Sequence, residues 1–232
     1  MRLHRFYLKN LITGDTFDIT DRDLIHQWRS VFRYNVGSQV ILFDGSGTEY
    51  LCMISSLRNL GATVEVIQKK KMEKNARKNL WLCLSIIKKD NFELVVEKAT
   101  ELGVTNIVPV LSERSEKKNL NMERLQKIAI ESSEQSGRGD IPIIHEVVEL
   151  SDLIKNDKLP KEKIVLHPEG EYIGEFLEKN PRELAIFIGP EGGWSDREMK
   201  EFSEHNILAI SLGSQILRAE TAAVAVASLL LL

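Results

Sequence analysis

The chain has 232 residues, 43% of them hydrophobic and 28% charged, the profile of an ordinary globular protein with room for one large domain or two modest ones. A net charge of −3 argues against a general polyanion binder, and two cysteines exclude a disulfide framework and a Cys-x-x-Cys metal site, which points to a reducing cytoplasm. The opening Met1-Arg-Leu-His-Arg-Phe lacks the apolar run of a signal peptide, and the longest apolar stretch, Ala222 to Leu232, is too short to span a bilayer, so no membrane is expected.

In chain order, the first part reads as short strands and turns. Arg5–Leu8 is a strand candidate. Leu24, Trp28 and Phe32 share one face of a possible helix. Val40–Phe43 runs into Asp44-Gly45, a strong turn signal, then Ser46-Gly47 and a return strand, Glu49–Ser55. Ala62–Gln68 alternates as another strand. Residues 68–78 then hold six bases and one acid, and read as a boundary between domains 1–72 and 73–232. Residues 1–78 carry 13 Lys and Arg against 8 Asp and Glu, whereas the remainder carries 18 against 26. The asymmetry suggests that the first part meets a polyanion, although a solvated basic linker would give the same balance.

From Leu80 strands and helices alternate. Leu80–Ile87 is continuously apolar, as in a strand covered on both faces. Phe92, Val95, Val96, Ala99 and Leu102 recur at helical spacing, and Gly103 supplies a stop. Ile107–Leu111 is a strand, and a helix with Leu125, Ile128 and Ala129 ends near Gly137. Strands are expected at Ile143–Val148, Ile164–His167, Leu184–Ile188 and Ile207–Leu212, with helices at Tyr172–Glu178, Asp196–His205 and from Ala219 onward. Ser195 with Glu198 makes a capping box. This order predicts an α/β domain with a mostly parallel sheet covered on both faces.

Two loops leave strands and enter helices. The first is Ile188-Gly-Pro-Glu-Gly-Gly-Trp194, whose glycines let backbone N–H groups approach a ligand beyond the strand ends. The second is Ser211-Leu-Gly-Ser-Gln-Ile-Leu-Arg-Ala-Glu-Thr221, with Arg218 and Glu220 at the mouth of an apolar helix, where a salt-bridged cap is the competing account. Neither loop is a Gly-x-Gly-x-x-Gly, no phosphate-binding P-loop occurs, and no metal-ligand cluster is visible. His167 ends a strand on the same sheet edge.

The blocks Lys98-Ala-Thr-Glu-Leu-Gly103, Ile107-Val-Pro-Val-Leu-Ser-Glu-Arg114, Lys127 to Arg138, Ile188-Gly-Pro-Glu-Gly-Gly193 and Leu212 to Ala222 occur in one order over nearly the whole chain. In that order they resemble the small-subunit ribosomal RNA (uridine-N3) methyltransferases of the SPOUT class. Val36 to Tyr50 resembles that family's first domain. The resemblance implies a small PUA-like β-barrel first and a SPOUT domain second, with a C-terminal trefoil knot that sequence pattern alone does not foretell. It implies a homodimer that acts on 16S ribosomal RNA of the small subunit. Carried over residue by residue, S-adenosylmethionine meets Leu166, His167, Gly189, Pro190, Glu191, Gly192, Gly193, Leu212, Gly213, Ile216 and Leu217. Where the family commonly has an arginine this chain has Gln215.

Methyl transfer to uridine N3 requires loss of a weakly acidic imide proton. Arg218 is the candidate to stabilise the resulting anion, and Glu191 or Glu220 to take the proton. RNA contacts are expected from Arg2, Arg5, Lys69, Lys70 and Lys71, with Arg114 and Arg138 holding phosphate or cofactor. If the basic run is only a linker, the surface around Arg2, Arg5, Arg29 and Arg33 takes its place. Two other readings stay open: a SPOUT enzyme on another RNA, such as transfer RNA ribose 2′-O, and a non-catalytic RNA-binding protein of ribosome assembly.

Overall fold

The computed structural model describes residues 3–71, 78–115 and 120–232. Two compact units emerge, Met1–Asn75 with Ser133–Asp140, and Ala76–Ser132 with Ile141–Leu232. Arg2 and the expected domain boundary near residue 72 lie outside the described residues.

The first unit is built on a five-stranded sheet. Its elements are β1 (Arg5–Tyr7), β2 (Thr16–Ile19), α1 (Arg22–His26), β3 (Gln39–Phe43), β4 (Thr48–Arg58) and β5 (Gly61–Lys71), with strand order β1-β3-β4-β5-β2. All pairings are antiparallel except β1 with β3. Period-two alternation buries Val40 and Leu42 of β3, Cys52 and Ile54 of β4, and Ala62 and Val64 of β5 around Trp28 and Phe6. The Asp44-Gly45 signal is the β3–β4 turn, with Gly45 and Gly47 both at positive φ. Asp21 caps α1 by accepting from the Asp23 and Leu24 amides. The helix expected over Leu24–Phe32 instead changes to a π turn at Gln27–Val31, closed by Phe32 N–H donating to Gln27 O at 3.1 Å. Sequence reading missed β2, which is four residues long and fully buries only Ile19. Segment 133–140 contributes to this unit: Glu134 accepts from Tyr7 N at 2.8 Å, and the Arg138 carbonyl accepts from Arg5 at 3.0 Å.

The second unit contains β6 (Asn79–Ser85), α2 (Lys89–Leu102), β7 (Asn106–Leu111), most of α3 (Met122–Ser136), β8 (Ile143–Ile144), β9 (Val148–Glu149), α4 (Leu150–Ile154), β10 (Lys163–Tyr172), α5 (Ile173–Lys179), β11 (Glu183–Ile188), α6 (Asp196–Glu204), β12 (Leu208–Ser211) and α7 (Ala219–Leu231). Strand order is β12-β10-β11-β6-β7-β8, with β9 also on β7, and every pairing is parallel. Alternate residues of the central strands feed two cores. Leu80, Leu82, Leu84, Leu184, Ile186 and Ile188 pack on one face with α2 and α7. Cys83, Ala185 and Phe187 pack on the other with α4 and with Phe202 of α6. Gly103 closes α2 at φ +104. The strand expected over Ile143–Val148 is two short pieces: His145, Glu146 and Val147 interrupt it, with the His145 ring stacked on Trp81 at 4.7 Å. Helix α4 was not foreseen. Both cysteines are free and buried, and burial pushes the Cys52 thiol up to about 12. Among the described residues no helix is long and apolar enough to cross a membrane.

Candidate active site

Strands β10, β11 and β12 are neighbours, so the loops at their carboxyl ends share one sheet edge. They enclose a cavity of about 490 Å³, of a size suited to a small-molecule ligand. Every residue expected to meet the cofactor lines it: Leu166 and His167, Gly189 to Gly193, and Leu212, Gly213, Ile216 and Leu217. Arg114 and Arg218 line it as well.

Each wall is held in place. After Leu166 the chain leaves the β12 ladder, turns through His167 to Gly170, and rejoins it, so that Leu166 and Glu171 both pair with Ile210. A Cβ at Gly170 would stand 2.5 Å from the Ile210 nitrogen, so only glycine fits the return. In the second wall, Gly193 N donates to Pro190 O at 2.8 Å, and Gly193 lies at φ +67. A Cβ on Gly189 would meet the Trp194 indole at 3.2 Å. Trp194 is buried against Phe202 and donates from its ring nitrogen to the Leu166 carbonyl at 3.2 Å, tying the second wall to the first. In the third wall, the Ser211 hydroxyl donates to Gly213 O and accepts from Gly213 N.

A fourth segment braces these walls from β7. The Arg114 guanidinium donates to Gly192 O at 2.8 Å and to Trp194 O at 3.3 Å. The Ser195–Glu198 capping box is present, and the buried Glu198 carboxylate also accepts from the Glu113 amide at 2.8 Å. Glu198 therefore does more than close α6, because it fixes the loop that carries Arg114. Sequence reading named Trp194 only as the end of a motif and Glu198 only as a cap. Their cross-loop contacts depend on tertiary placement that no local spacing encodes.

The catalytic candidates are spread over the rim. Glu191 is exposed at the cavity and lies 3.5 Å from the Lys88 amide, which donates to it. Arg218 is the N-cap residue of α7, and its side chain is 83% exposed, 4.0 Å from Glu220. Glu220 is buried, and its Oε2 has no hydrogen-bond partner among the described residues. It is not among the cavity-lining residues.

The candidates for RNA divide. Arg114 belongs to the cavity wall, where its donors are used on carbonyls. Arg5 pairs with the buried Glu49 and lies over the Phe43 ring, and Arg138 is buried against Asp140 at 3.2 Å, so both guanidiniums are turned inward within the first unit rather than offered to a polyanion. Lys69, Lys70 and Lys71 are exposed at the end of β5, and Lys69 holds Asp15 at 2.7 Å.

A parallel α/β sheet with a ligand cavity built from three strand-end loops, in a chain that also holds a small β unit, defines the class. A family model described as RNA methyltransferase domain matches residues 73–231, and one described as RNA methyltransferase PUA domain matches residues 29–67. The curated ribosomal RNA small subunit methyltransferase E of Rickettsia conorii is 32% identical, over 97% of this chain and 93% of that protein. The crystal structure of the same enzyme from Neisseria gonorrhoeae, bound to S-adenosylmethionine, is 30% identical with a TM-score of 0.88, covering 98% of this chain and 96% of that one. A Legionella pneumophila methyltransferase structure, also with S-adenosylmethionine, is 29% identical with a TM-score of 0.90, covering 99% and 97%. The chain belongs to the ribosomal RNA small subunit methyltransferase E family.

Proposed function

We propose that the chain transfers a methyl group from S-adenosylmethionine to N3 of a uridine in the 16S RNA of the small ribosomal subunit, working in the cytoplasm as a homodimer. The observation that carries this reading is the convergence of all three strand-end loops on one cavity in a chain of this family. Its walls suit the cofactor. Leu166, Ile188, Leu212 and Ala222 offer an apolar bed for a purine. At Gly193 a Cβ would meet nothing within 4 Å, so the glycine backbone is bare at the rim. The Neisseria and Legionella relatives were crystallised with this cofactor.

When bound, S-adenosylmethionine supplies an electrophilic methyl group. The chain's task is to make uridine N3 a nucleophile. Glu191, at the cavity, takes the N3 proton, and the lone pair left on nitrogen bonds the methyl carbon as that carbon's bond to the sulfonium sulfur breaks, with S-adenosylhomocysteine as the leaving thioether. The negative charge spreads over the two flanking carbonyl oxygens, and the Arg218 guanidinium stabilises it without titrating. Glu220, buried behind Arg218, orients that side chain. Arg114 keeps the cavity wall rigid through Gly192 and Trp194.

The dimer reading rests on apolar side chains that this unit leaves open to solvent: Ile216 at 87% exposure, Leu229 at 51% and Leu232 at 92%. RNA capture is assigned to the first unit, with Lys70 and Lys71 among its exposed cations.

Incubation of the purified protein with cofactor and small-subunit RNA lacking the modification tests the reaction. Nuclease digestion and mass spectrometry then yield 3-methyluridine. A ribose 2′-O-methylated product, or no transfer to a competent substrate, refutes the proposal.

A further inference from the structure

The sheet of the second unit is open at one end. Its order, β12-β10-β11-β6-β7-β8, puts the cavity loops at one end and β8 at the other, three strands beyond β11 and so about 14 Å across the sheet. β9 continues the same edge along β7. The amides of Ile143 and His145 donate inward to Thr105 O and Ile107 O, at 2.9 Å each. Backbone groups alternate in direction along a strand, so the N–H and C=O of Ile144, between them, point away from β7 to the open side. Ile143 is 59% exposed and Val147 42%. From Ile141 to Ile154 the chain carries Glu146, Glu149 and Asp152 and no Lys or Arg. All three carboxylates are exposed, and among the described residues none pairs with a cation.

Open edges are commonly guarded by charge. The carboxylates guard this one against a second copy of the chain, because two such edges would bring like charges together. They also turn away RNA. Guarding has no need of bare aliphatic side chains, yet Ile143 and Val147 stand uncovered beside the charges.

We propose that this edge is a docking site for an extended protein segment rich in lysine or arginine. The segment adds as a strand along β8 and β9. It exchanges backbone hydrogen bonds with Ile144, rests aliphatic side chains on Ile143 and Val147, and sets its cations against Glu146, Glu149 and Asp152. The ladder is short, because the strand breaks at His145 to Val147, so the charges carry much of the affinity. The site stands apart from the cofactor cavity and does not depend on which RNA that cavity serves.

The probe is a fluorescein-labelled peptide of alternating lysine and valine, titrated by anisotropy into the full-length protein at physiological salt. Wild type binds it, the Ile144 amide signal shifts in NMR spectra of the labelled protein, and a peptide of alternating glutamate and valine does not bind. A lysine–valine peptide N-methylated at every residue keeps its charge and loses its backbone donors, and it binds roughly tenfold more weakly. Glu146→Lys combined with Glu149→Lys weakens the original peptide at least about tenfold, while Tm and calorimetric cofactor affinity stay near wild type. If the double variant loses Tm, Glu146→Gln takes its place, with a roughly two- to fourfold loss expected. Equal affinity for the methylated peptide overturns strand addition and leaves charge alone. Undiminished binding by the charge variants puts the peptide elsewhere and overturns the proposal, as does a wild-type protein that ignores the lysine–valine peptide.

Discussion

The Arg114 guanidinium lies 2.8 Å from the Gly192 carbonyl, and its aliphatic stem covers the Gly192 Cα, so that a Cβ there would stand 3.4 Å from Arg114 Cβ and Cδ. The glycine of the cavity loop thus faces a brace. Sequence reading had its open side facing the ligand and counted Arg114 as a phosphate or cofactor contact. Arg114→Ala removes two hydrogen bonds to carbonyls and should weaken S-adenosylmethionine binding by about tenfold, roughly 1.4 kcal/mol. Arg114→Lys should restore it only in part, because both bonds leave one guanidinium nitrogen, Nη1, a point the shorter lysine side chain does not reach in the same geometry. Calorimetry checks both, and RNA affinity should hold. Weakened RNA binding with intact cofactor affinity would return Arg114 to the role the sequence suggested.

Gly170 is the tightest point of the cavity's first wall. Its substitution by alanine drives a Cβ into the Ile210 backbone, 2.5 Å away, which must shift. We expect a loss of about 2–3 kcal/mol in stability, seen as a lower Tm, together with weaker cofactor binding because Leu166 and His167 lie on the same excursion. Gly192→Ala, whose Cβ makes only ordinary contact, should fold with near wild-type stability. Equal behaviour of the two variants in thermal unfolding would contradict this account of the walls.

Arg218→Ala should leave cofactor affinity within about twofold of wild type while lowering kcat by roughly 10²–10³, the cost of losing one donor to a developing oxyanion. The side chain is 83% exposed and its pairing with Glu220 is long, at 4.0 Å, so Tm should change little. Steady-state methyl transfer with small-subunit RNA decides. A variant that loses KM for cofactor and keeps kcat would make Arg218 a binding residue.

The alternation of strands and helices from Leu80 onward was legible because continuous apolar runs such as Leu80–Ile87 can only be covered on both faces. The cavity was legible because Gly189–Gly193 and Leu212–Gly213 sit at strand ends, where glycine has a backbone reason to occur. Less visible were relationships between distant segments. The inward turn of Arg5 and Arg138 depends on Glu49 and Asp140, and local charge counting registers a buried arginine and an exposed one alike. The Trp194–Leu166 bond joins residues 28 apart. The break at His145 follows from its stacking on Trp81, in a strand more than 60 residues earlier in the chain.

His145 gives a pH dependence with a defined sign. Burial lowers its pKa below the ordinary 6.5. The unfolded chain therefore takes up this proton at a higher pH than the folded one. The stabilisation is complete above about pH 6.5 and is lost as pH falls below that value toward the folded pKa. Replacement by phenylalanine keeps a ring over Trp81 and gives up the 2.9 Å hydrogen bond to Asn106. His145→Phe should lose less Tm than wild type between about pH 7 and 5.5. Parallel Tm–pH curves for the two proteins would show that His145 does not titrate on unfolding.

The central claim, methylation of uridine N3 in 16S RNA, is tested most directly by the nucleoside content of that RNA from cells with and without this gene, measured by mass spectrometry. The account predicts one 3-methyluridine present with the gene, absent in its deletion, restored by the wild-type gene and left missing by the Arg218→Ala form. Unchanged 3-methyluridine in the deletion, with loss of a ribose-methylated nucleoside from another RNA, would contradict it.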